Sequence, residues 1–166
     1  FLRNLEMFCE VKLFVEFDIP RITQLTQRSN QFNLRIVRYS EEEIKKIARS
    51  DDFFTFSFKL KDKFGDYGLI SVIILKKQND SLFIDTWIMS CRVLKRGVES
   101  FVLDKIVALA KDKGFKILIG EYIPTAKNAL VKNHYYDLGF HLENSYWVLD
   151  IDGYEAKKCF IMQNEL

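Results

Sequence analysis

The stretch Phe54-Thr55-Phe56-Ser57-Phe58-Lys59-Leu60 alternates apolar with polar residues, and a period of two is typical of a β-strand with one buried and one polar face. A turn rich in Asp and Gly follows at residues 62–68. Residues 69–75 form an apolar, β-branched run, and a polar turn leads to a third apolar run at residues 82–89. Three consecutive strands joined by short turns predict an antiparallel meander.

The hydrophobic period changes after the meander from that of a strand to that of a helix. The predicted elements there are a helix over residues 97–113, a strand over 115–119, a helix over 128–138 closed by Gly139, and a strand over 146–151. Before the meander, Ser40 stands three residues ahead of Glu43, which is the capping box of a helix over residues 41–49.

The first forty residues have a weaker pattern. We predict a short strand or linker over residues 13–20, a polar helix over 21–30 and a first strand over 34–39. The whole order predicts an α+β fold with one mixed, mostly antiparallel sheet flanked by helices. We assign residues 34–166 to the principal domain and residues 1–33 to a linker with an N-terminal strand or helix.

The composition indicates one globular domain and excludes several classes of protein. The chain has 166 residues, 48% of them hydrophobic, and a net charge of +2 at pH 7, so it can bury a core and has no basic excess for nucleic acid or an anionic membrane. No apolar run reaches the roughly 18 residues of a membrane span and no signal peptide opens the sequence, so we expect a cytoplasmic protein. Because the sequence starts at Phe1, we expect a fragment of a longer protein.

The three cysteines are Cys9, Cys91 and Cys159. Their odd number and their spacing suggest neither a disulfide framework nor a metal site, so we expect reduced thiols and no metal. Cys9 and Cys159 are interpreted as structural.

The element order and several short motifs resemble the GNAT (acyl-CoA N-acyltransferase) family. Asn128, Tyr135, Gly139 and Phe140 match the spacing of its terminal Asn, Tyr and Gly-Phe motif. Residues 96–99 read Arg-Gly-Val-Glu where the family has Arg/Gln-Gly-x-Gly. Glu99 therefore replaces the second glycine and sets a negative charge against the pyrophosphate of coenzyme A, which argues against binding of free acetyl-CoA.

Four longer strings resemble the C-terminal half of FkbH-like proteins. They are RITQLTQRSNQFN at residues 21–33, FGDYGLI at 64–70, SCRVLKRGVE at 90–99 and GEYIPTAKN at 120–128. The resemblance implies a two-part enzyme with an N-terminal phosphatase domain of the haloacid dehalogenase (HAD) type and a GNAT-like domain. Together such proteins load a glyceryl group from 1,3-bisphosphoglycerate onto an acyl carrier protein, for methoxymalonyl-type units in polyketide synthesis.

The resemblance also implies the partners of this chain. They are an acyl carrier protein, whose phosphopantetheine thiol is the acyl acceptor, and the HAD phosphatase domain of the same chain. We expect Mg²⁺ only for that phosphatase domain, and no cofactor in this fragment. Asp150 and Asp152 imitate the phosphatase signature, but Tyr154 stands at its Thr position, so we interpret them as a strand end and turn.

Cys91 is the candidate nucleophile. It follows the third meander strand and precedes the helix at Gly97, near the cleft where the GNAT resemblance places a thioester. A thiol there could accept an acyl group and pass it to a pantetheine thiol, and Arg92, Arg96 and the helix N-terminus would favour the thiolate. The alternative is a buried cysteine that fills a gap.

Further candidates lie at strand ends. Glu121 and Tyr122 close a predicted strand and are candidate acid, base or shaping groups, or else an edge charge and a packed ring. Lys127 and Asn128 open the second predicted helix. Asn128 could cap that helix, or bind the amides of a pantetheine arm as the GNAT resemblance implies.

A dense polar cluster beside Phe32 forms a third group. Its members suit recognition of a phosphorylated substrate or a domain interface, but a solvated helix would look the same; they are Gln27, Arg28, Asn30, Gln31 and Asn33. Asp85 interrupts an apolar strand and is expected to face solvent, with an Arg partner as the alternative. His134 is interpreted as a packing residue rather than a base.

The preferred prediction is an acyl-transfer domain that carries a glyceryl group on Cys91. Two alternatives stay open: an acetyl-CoA-dependent N-acetyltransferase, and a non-catalytic module that docks the carrier protein.

Overall fold

The computed structural model describes residues 2–94, 96–156 and 161–164. Within these ranges the strands are β1 (Met7–Lys12), β2 (Phe53–Asp62), β3 (Gly65–Gln78), β4 (Ser81–Met89), β5 (Ile117–Gly120), β6 (His141–Glu143), β7 (Tyr146–Asp150) and β8 (Ile161–Asn164). The α-helices are α1 (Ile19–Arg28), α2 (Glu41–Arg49), α3 (Val98–Asp112) and α4 (His134–Asp137). Short 3-10 helices lie at Leu2–Leu5, Glu16–Asp18, Cys91–Val93 and Ala129–Val131.

All the described strands belong to one sheet, in the order β6-β7-β5-β4-β3-β2-β1-β8. Neighbouring strands are antiparallel except β4 with β5 and β1 with β8, which are parallel. The predicted meander is β2, β3 and β4. The predicted α+β class with a mixed, mostly antiparallel sheet is confirmed.

Helices cover both faces of this sheet. Ile22 of α1 and Ile44 of α2 pack against Val72 and Ile74 of β3 on one face, and α3 buries its apolar side on the other. The sheet therefore lies between two apolar layers, as in other α+β domains.

The second layer also buries the predicted polar face of β2. Thr55 and Ser57 are buried, and each of their hydroxyls meets backbone: Thr55 Oγ1 accepts from the N–H of Phe14, and Ser57 Oγ donates to the carbonyl of Lys12. Small hydroxyl residues tolerate burial when they are paired in this way. The alternation of apolar and polar residues along β2 therefore does not mark a face that is exposed to solvent.

The predicted helix starts need one correction. The capping box at Ser40 and Glu43 is present, with both of its hydrogen bonds. Pro20, which we expected to end a strand, instead lies in the first turn of α1, where its missing N–H costs nothing.

The predicted strand over residues 34–39 and the continuous helix over 128–138 are wrong. Residues 34–39 are irregular, and Ile36 has a φ of 54°, which no strand residue adopts. Residues 128–138 split into the 3-10 helix Ala129–Val131 and the short helix α4. Strands β1, β6 and β8 had no sequence prediction, and Cys159 lies outside the described residues.

An opening in the sheet is filled by a short segment. β4 pairs with β5 only from Ser81 to Phe83, although β4 continues to Met89. Residues 32–34, which we call the inserted segment, fill the space beyond: Asn33 forms an antiparallel bridge with Ile88, and the Leu34 carbonyl accepts from the N–H of Ile123 at 2.8 Å. The inserted segment thus joins the two diverging chains.

Candidate functional site

A cleft of about 790 Å³ lies beside the inserted segment, between α1 and the end of β4. It brings together half of the predicted site residues: Arg28, Asn30, Cys91, Arg92 and Lys127. We call it the cysteine cleft.

Cys91 is exposed at this cleft. It begins the 3-10 turn that directly follows β4, and the Ser90 side chain caps that turn by accepting from the N–H of Arg92. The Cys91 thiol donates to Gln31 Oε1 at 3.1 Å. The sulfur is therefore open to an incoming ligand, in contrast to the gap-filling alternative, and its catalytic role stays a prediction.

The charged residues that line the cysteine cleft are all cationic among the described residues: Arg21, Arg28, Arg92 and Lys127. Arg92 is held by Ser90 Oγ and by the carbonyl of Tyr67, at 3.2 and 3.1 Å. Guanidinium and ammonium groups without a carboxylate among them suit an anionic ligand.

Arg96 does not join this group. Its guanidinium pairs with the buried carboxylate of Asp62 at 3.0 Å and lies over the ring of Tyr67. Because Asp62 of β2 binds the Arg96 guanidinium, the contacts of Arg96 do not support the expectation that it favours a thiolate at Cys91.

Glu121 and Tyr122 lie outside the cysteine cleft. Glu121 pairs with Arg35 at 3.0 Å, and the Tyr122 hydroxyl donates to Asn128 Oδ1 at 3.2 Å. Both side chains have partners within the chain, as the alternative of an edge charge and a packed ring implies.

Arg35, which the sequence analysis did not single out, links three parts of the chain. Its guanidinium also donates to the carbonyl of Asp85, at 2.9 Å, and pairs with the Asp85 carboxylate at 3.3 Å. The Tyr39 hydroxyl donates to the same carboxylate at 2.7 Å, and burial, followed by this bond, raises the pKa of Tyr39. Asp85 therefore has partners instead of facing solvent. It lies where the β3–β4 register skips a residue, a bulge that redirects a side chain.

Asn128 is fully buried and its side chain does not cap the following helix. Its Nδ2 donates to the carbonyls of Asn33 and Ile123, at 3.0 and 2.9 Å, and its Oδ1 accepts from the N–H of Thr125 at 2.7 Å. These bonds hold the inserted segment and leave no group for a pantetheine amide. Gln27 is directed elsewhere, and its Nε2 donates to the carbonyl of Tyr39.

A second cavity of about 260 Å³ lies on the other side of Phe32, between the start of α3 and α4. We call it the helix pocket. Glu99, His134 and Asp137 are its ionisable lining residues. Burial lowers the pKa of His134 to about 3 and raises the pKa of Glu99.

Gln31 of the predicted polar cluster and its neighbour Phe32 also line the cysteine cleft, although neither was predicted as a site residue. Both belong to the polar string at residues 21–33, but no periodicity marked them as facing a cavity. In the described part of the chain, no group of three His, Cys, Asp or Glu residues could hold a metal ion. No described helix is long and apolar enough to cross a membrane.

Solved structures of acetyltransferases share this architecture. The ribosomal-protein-S18-alanine N-acetyltransferase of Escherichia coli matches 86% of this chain and 94% of its own, with a TM-score of 0.64 and 15% identity. The GNAT domain of PAT from S. lividans matches 84% and 89%, with a TM-score of 0.63 and 17% identity. Spermidine N-acetyltransferase from Vibrio cholerae, solved with CoA and spermine, matches 87% and 96%, with a TM-score of 0.64 and 11% identity.

These likenesses show that the chain has the GNAT fold, as its motifs predicted. The sequence matches no family model, and no curated protein is significantly similar to it. The FkbH-like resemblance and the HAD partner domain stay predictions, as does the division of the chain at residue 34.

Proposed function

We propose that this chain is an acyltransferase domain in which Cys91 carries an acyl group between an acyl phosphate and the phosphopantetheine thiol of an acyl carrier protein. The FkbH-like strings suggest 1,3-bisphosphoglycerate as the donor. The observation that carries the proposal is an exposed thiol in a cleft whose charged lining residues are all cationic.

The first step forms a thioester. The Cys91 sulfur attacks the acyl carbon, the bond from that carbon to the phosphate oxygen breaks, and phosphate leaves with the thiol proton. Arg28, Arg92 and Lys127 line the space in which the donor's phosphates would lie, and cationic groups stabilise the charge that develops on a departing phosphate.

The second step exchanges one thioester for another. The pantetheine sulfur attacks the same carbon, and Cys91 leaves and regains a proton. The two thiols have similar pKa values in water, so the exchange has little driving force in either direction. The phosphate ester that remains on the glyceryl group needs hydrolysis, which is the work of a phosphatase such as the proposed partner domain.

The experiment is to incubate the protein with 1,3-bisphosphoglycerate and measure its intact mass. A single phosphoglyceryl adduct is expected on the unmodified chain and on Cys9→Ala, which removes a buried thiol from β1. No adduct is expected on Cys91→Ser. An adduct that survives Cys91→Ser would eliminate this nucleophile, and no adduct on the unmodified chain would favour a docking module.

An acetyl-CoA-dependent N-acetyltransferase is the second candidate, because the fold is that of such enzymes. Two features weigh against it. Glu99 places a carboxylate in the first turn of α3, and the inserted segment fills the opening between β4 and β5. Titration calorimetry with acetyl-CoA separates the candidates, since micromolar binding would favour the N-acetyltransferase.

A further inference from the structure

A side-chain amide lies against the sulfur of Cys91. Gln31 Oε1 accepts from the Cys91 thiol at 3.1 Å, and Gln31 Nε2 makes no hydrogen bond to another described residue. Both residues are exposed and both line the cysteine cleft. An amide carries an acceptor and two donors in one plane, so this side chain has a group to offer the sulfur in either of two chemical states.

Two other polar side chains of the cleft have partners elsewhere. Asn30 Oδ1 accepts from the guanidinium of Arg38 at 2.6 Å, and Ser90 Oγ accepts from the N–H of Arg92 at 3.3 Å. The described residues that line the cleft include no histidine and no carboxylate. Gln31 is therefore the neutral group that is in place to act on an acyl group carried by the sulfur.

The backbone on either side of Gln31 is anchored. Asn33 is 2% exposed, and its Nδ2 donates to the carbonyl of Ser29 at 3.1 Å. The N–H of Met89, two residues before the nucleophile, donates to the carbonyl of Phe32 at 3.4 Å. These bonds hold the Gln31 backbone beside the end of β4, so only the torsions of its own side chain decide which amide atom meets the sulfur.

Acylation changes what the sulfur requires from this amide. A thiol donates a hydrogen bond, and in the resting protein Oε1 accepts it. An acylated sulfur has no proton to donate, whereas the acyl oxygen, one carbon away from the sulfur, accepts hydrogen bonds. The terminal torsion of a glutamine is broad and two-fold. A half-turn about it therefore sets Nε2 where Oε1 was, within reach of that oxygen.

We propose that Gln31 is a catalytic residue, whose Nε2 donates to the acyl oxygen when nucleophilic attack makes that oxygen an anion. This inference rests on the proposed function, which supplies the acyl group. In each of its two steps the incoming sulfur bonds to the acyl carbon and the carbonyl electron pair moves to oxygen. The pair returns as phosphate or the Cys91 sulfur leaves. Gln31 neither gains nor loses a proton, and the thiol proton still departs with the phosphate.

The test compares two reactions of the same sulfur. p-Nitrophenyl acetate acylates a thiolate through a tetrahedral oxyanion and releases p-nitrophenolate, whereas iodoacetamide alkylates it by direct displacement, without such an oxyanion. Both rates are measured at a pH at which alkylation has levelled off, so that the thiolate is compared in every protein. The parent and all variants carry Cys159→Ser, and the same protein with Cys91→Ser is the blank.

We expect the ratio of the acylation rate to the alkylation rate to fall at least tenfold in two variants. Gln31→Leu removes the amide, and Gln31→Glu keeps an acceptor but has no N–H to donate. Loss of a single oxyanion donor costs about a hundred- to thousandfold in rate in a closed active site, and exposure of this cleft reduces that factor. Because Gln31 is exposed, both variants should fold, which circular dichroism checks. If one does not, the other decides alone.

Gln78→Leu is the matched control. Gln78 is exposed at the turn between β3 and β4, at the opposite end of β4 from the cleft, so this variant should keep the ratio of the parent within twofold. A fall of less than tenfold in a folded Gln31 variant would overturn the assignment. An equal fall in Gln78→Leu, or no acylation of the parent above the blank, would overturn it as well.

The outcome is separable from that of the proposed function, because p-nitrophenyl acetate shares no phosphate with the proposed donor. A phosphoglyceryl adduct on Cys91 together with an unchanged ratio would discard the role of Gln31 and keep the nucleophile. A ratio that falls as expected, without that adduct, would keep the role of Gln31 in acyl transfer and discard 1,3-bisphosphoglycerate as the donor.

Discussion

Lowering the pH from 6.5 to 5 should destabilise the folded chain through His134. Burial holds the pKa of this imidazole near 3 in the folded state, against 6.5 for a free histidine. Between these two pKa values the unfolded chain binds a proton that the folded chain excludes. The free energy of unfolding therefore rises with pH across this window, and the contribution of His134 to stability is lost as the pH falls. The loss through His134 is about 2 kcal/mol by pH 5.

Glu99 works in the opposite direction. Burial raises the pKa of its carboxyl, so the folded chain holds that proton more tightly, and stability from this group falls as the pH rises above about 4.5. The pH dependence is therefore steeper in Glu99→Gln, which removes the opposing contribution and isolates His134.

Urea unfolding followed by Trp fluorescence at several values from pH 5 to 7.5 measures the effect. His134→Phe should flatten the dependence, since a phenyl ring can lie among Phe32, Trp87 and Tyr135 without titrating. The chain has only two histidines, and the exposed His141 provides the control: His141→Asn should keep the slope. An unchanged slope in His134→Phe would show that this imidazole is not the titrating group.

Three further substitutions test the packing around the site. Gly120→Ala should lower the free energy of unfolding by about 1 to 3 kcal/mol, because its Cβ would clash with Cζ of the buried Tyr135 ring. Gly65→Ala, with open space around it, should be near neutral in the same urea titration. Equal effects of the two substitutions would contradict the clash. Asn128→Ala should cost about 3 kcal/mol by leaving the buried carbonyl of Asn33 and the partly buried carbonyl of Ile123 without this donor, and a loss below 1 kcal/mol would mean that the inserted segment needs no such anchor. Glu99→Gly should gain acetyl-CoA binding by calorimetry if the carboxylate is what excludes the pyrophosphate, whereas continued absence of binding would assign the exclusion to the inserted segment.

Local patterns were sufficient to predict the central part of the fold. The meander and α3 have long, regular hydrophobic periods, and the capping box at Ser40 needs only two nearby residues. Strands β6 and β8 are three and four residues long, and such short strands depend on a partner that no local pattern reveals. Residues 34–39 alternate as a strand would, but tertiary bonds to distant backbone determine their shape.

The site was predictable only where it adjoined a well-predicted element. Cys91 directly follows β4, so its position at the end of the sheet followed from the meander. Arg96 and Glu121 were misplaced because their partners, Asp62 and Arg35, are 34 and 86 residues away. Ion pairs over such separations have no signature in a single sequence.

The covering of both faces has a practical consequence for anyone who shortens this chain. A version that begins at residue 34 would lose β1 and α1 together. The long strand β2 would then present a row of free backbone groups, and Val72 would lose the part of its apolar cover that α1 provides. Unprotected edges of this kind recruit other molecules, so such a truncated protein should aggregate even though it retains Cys91.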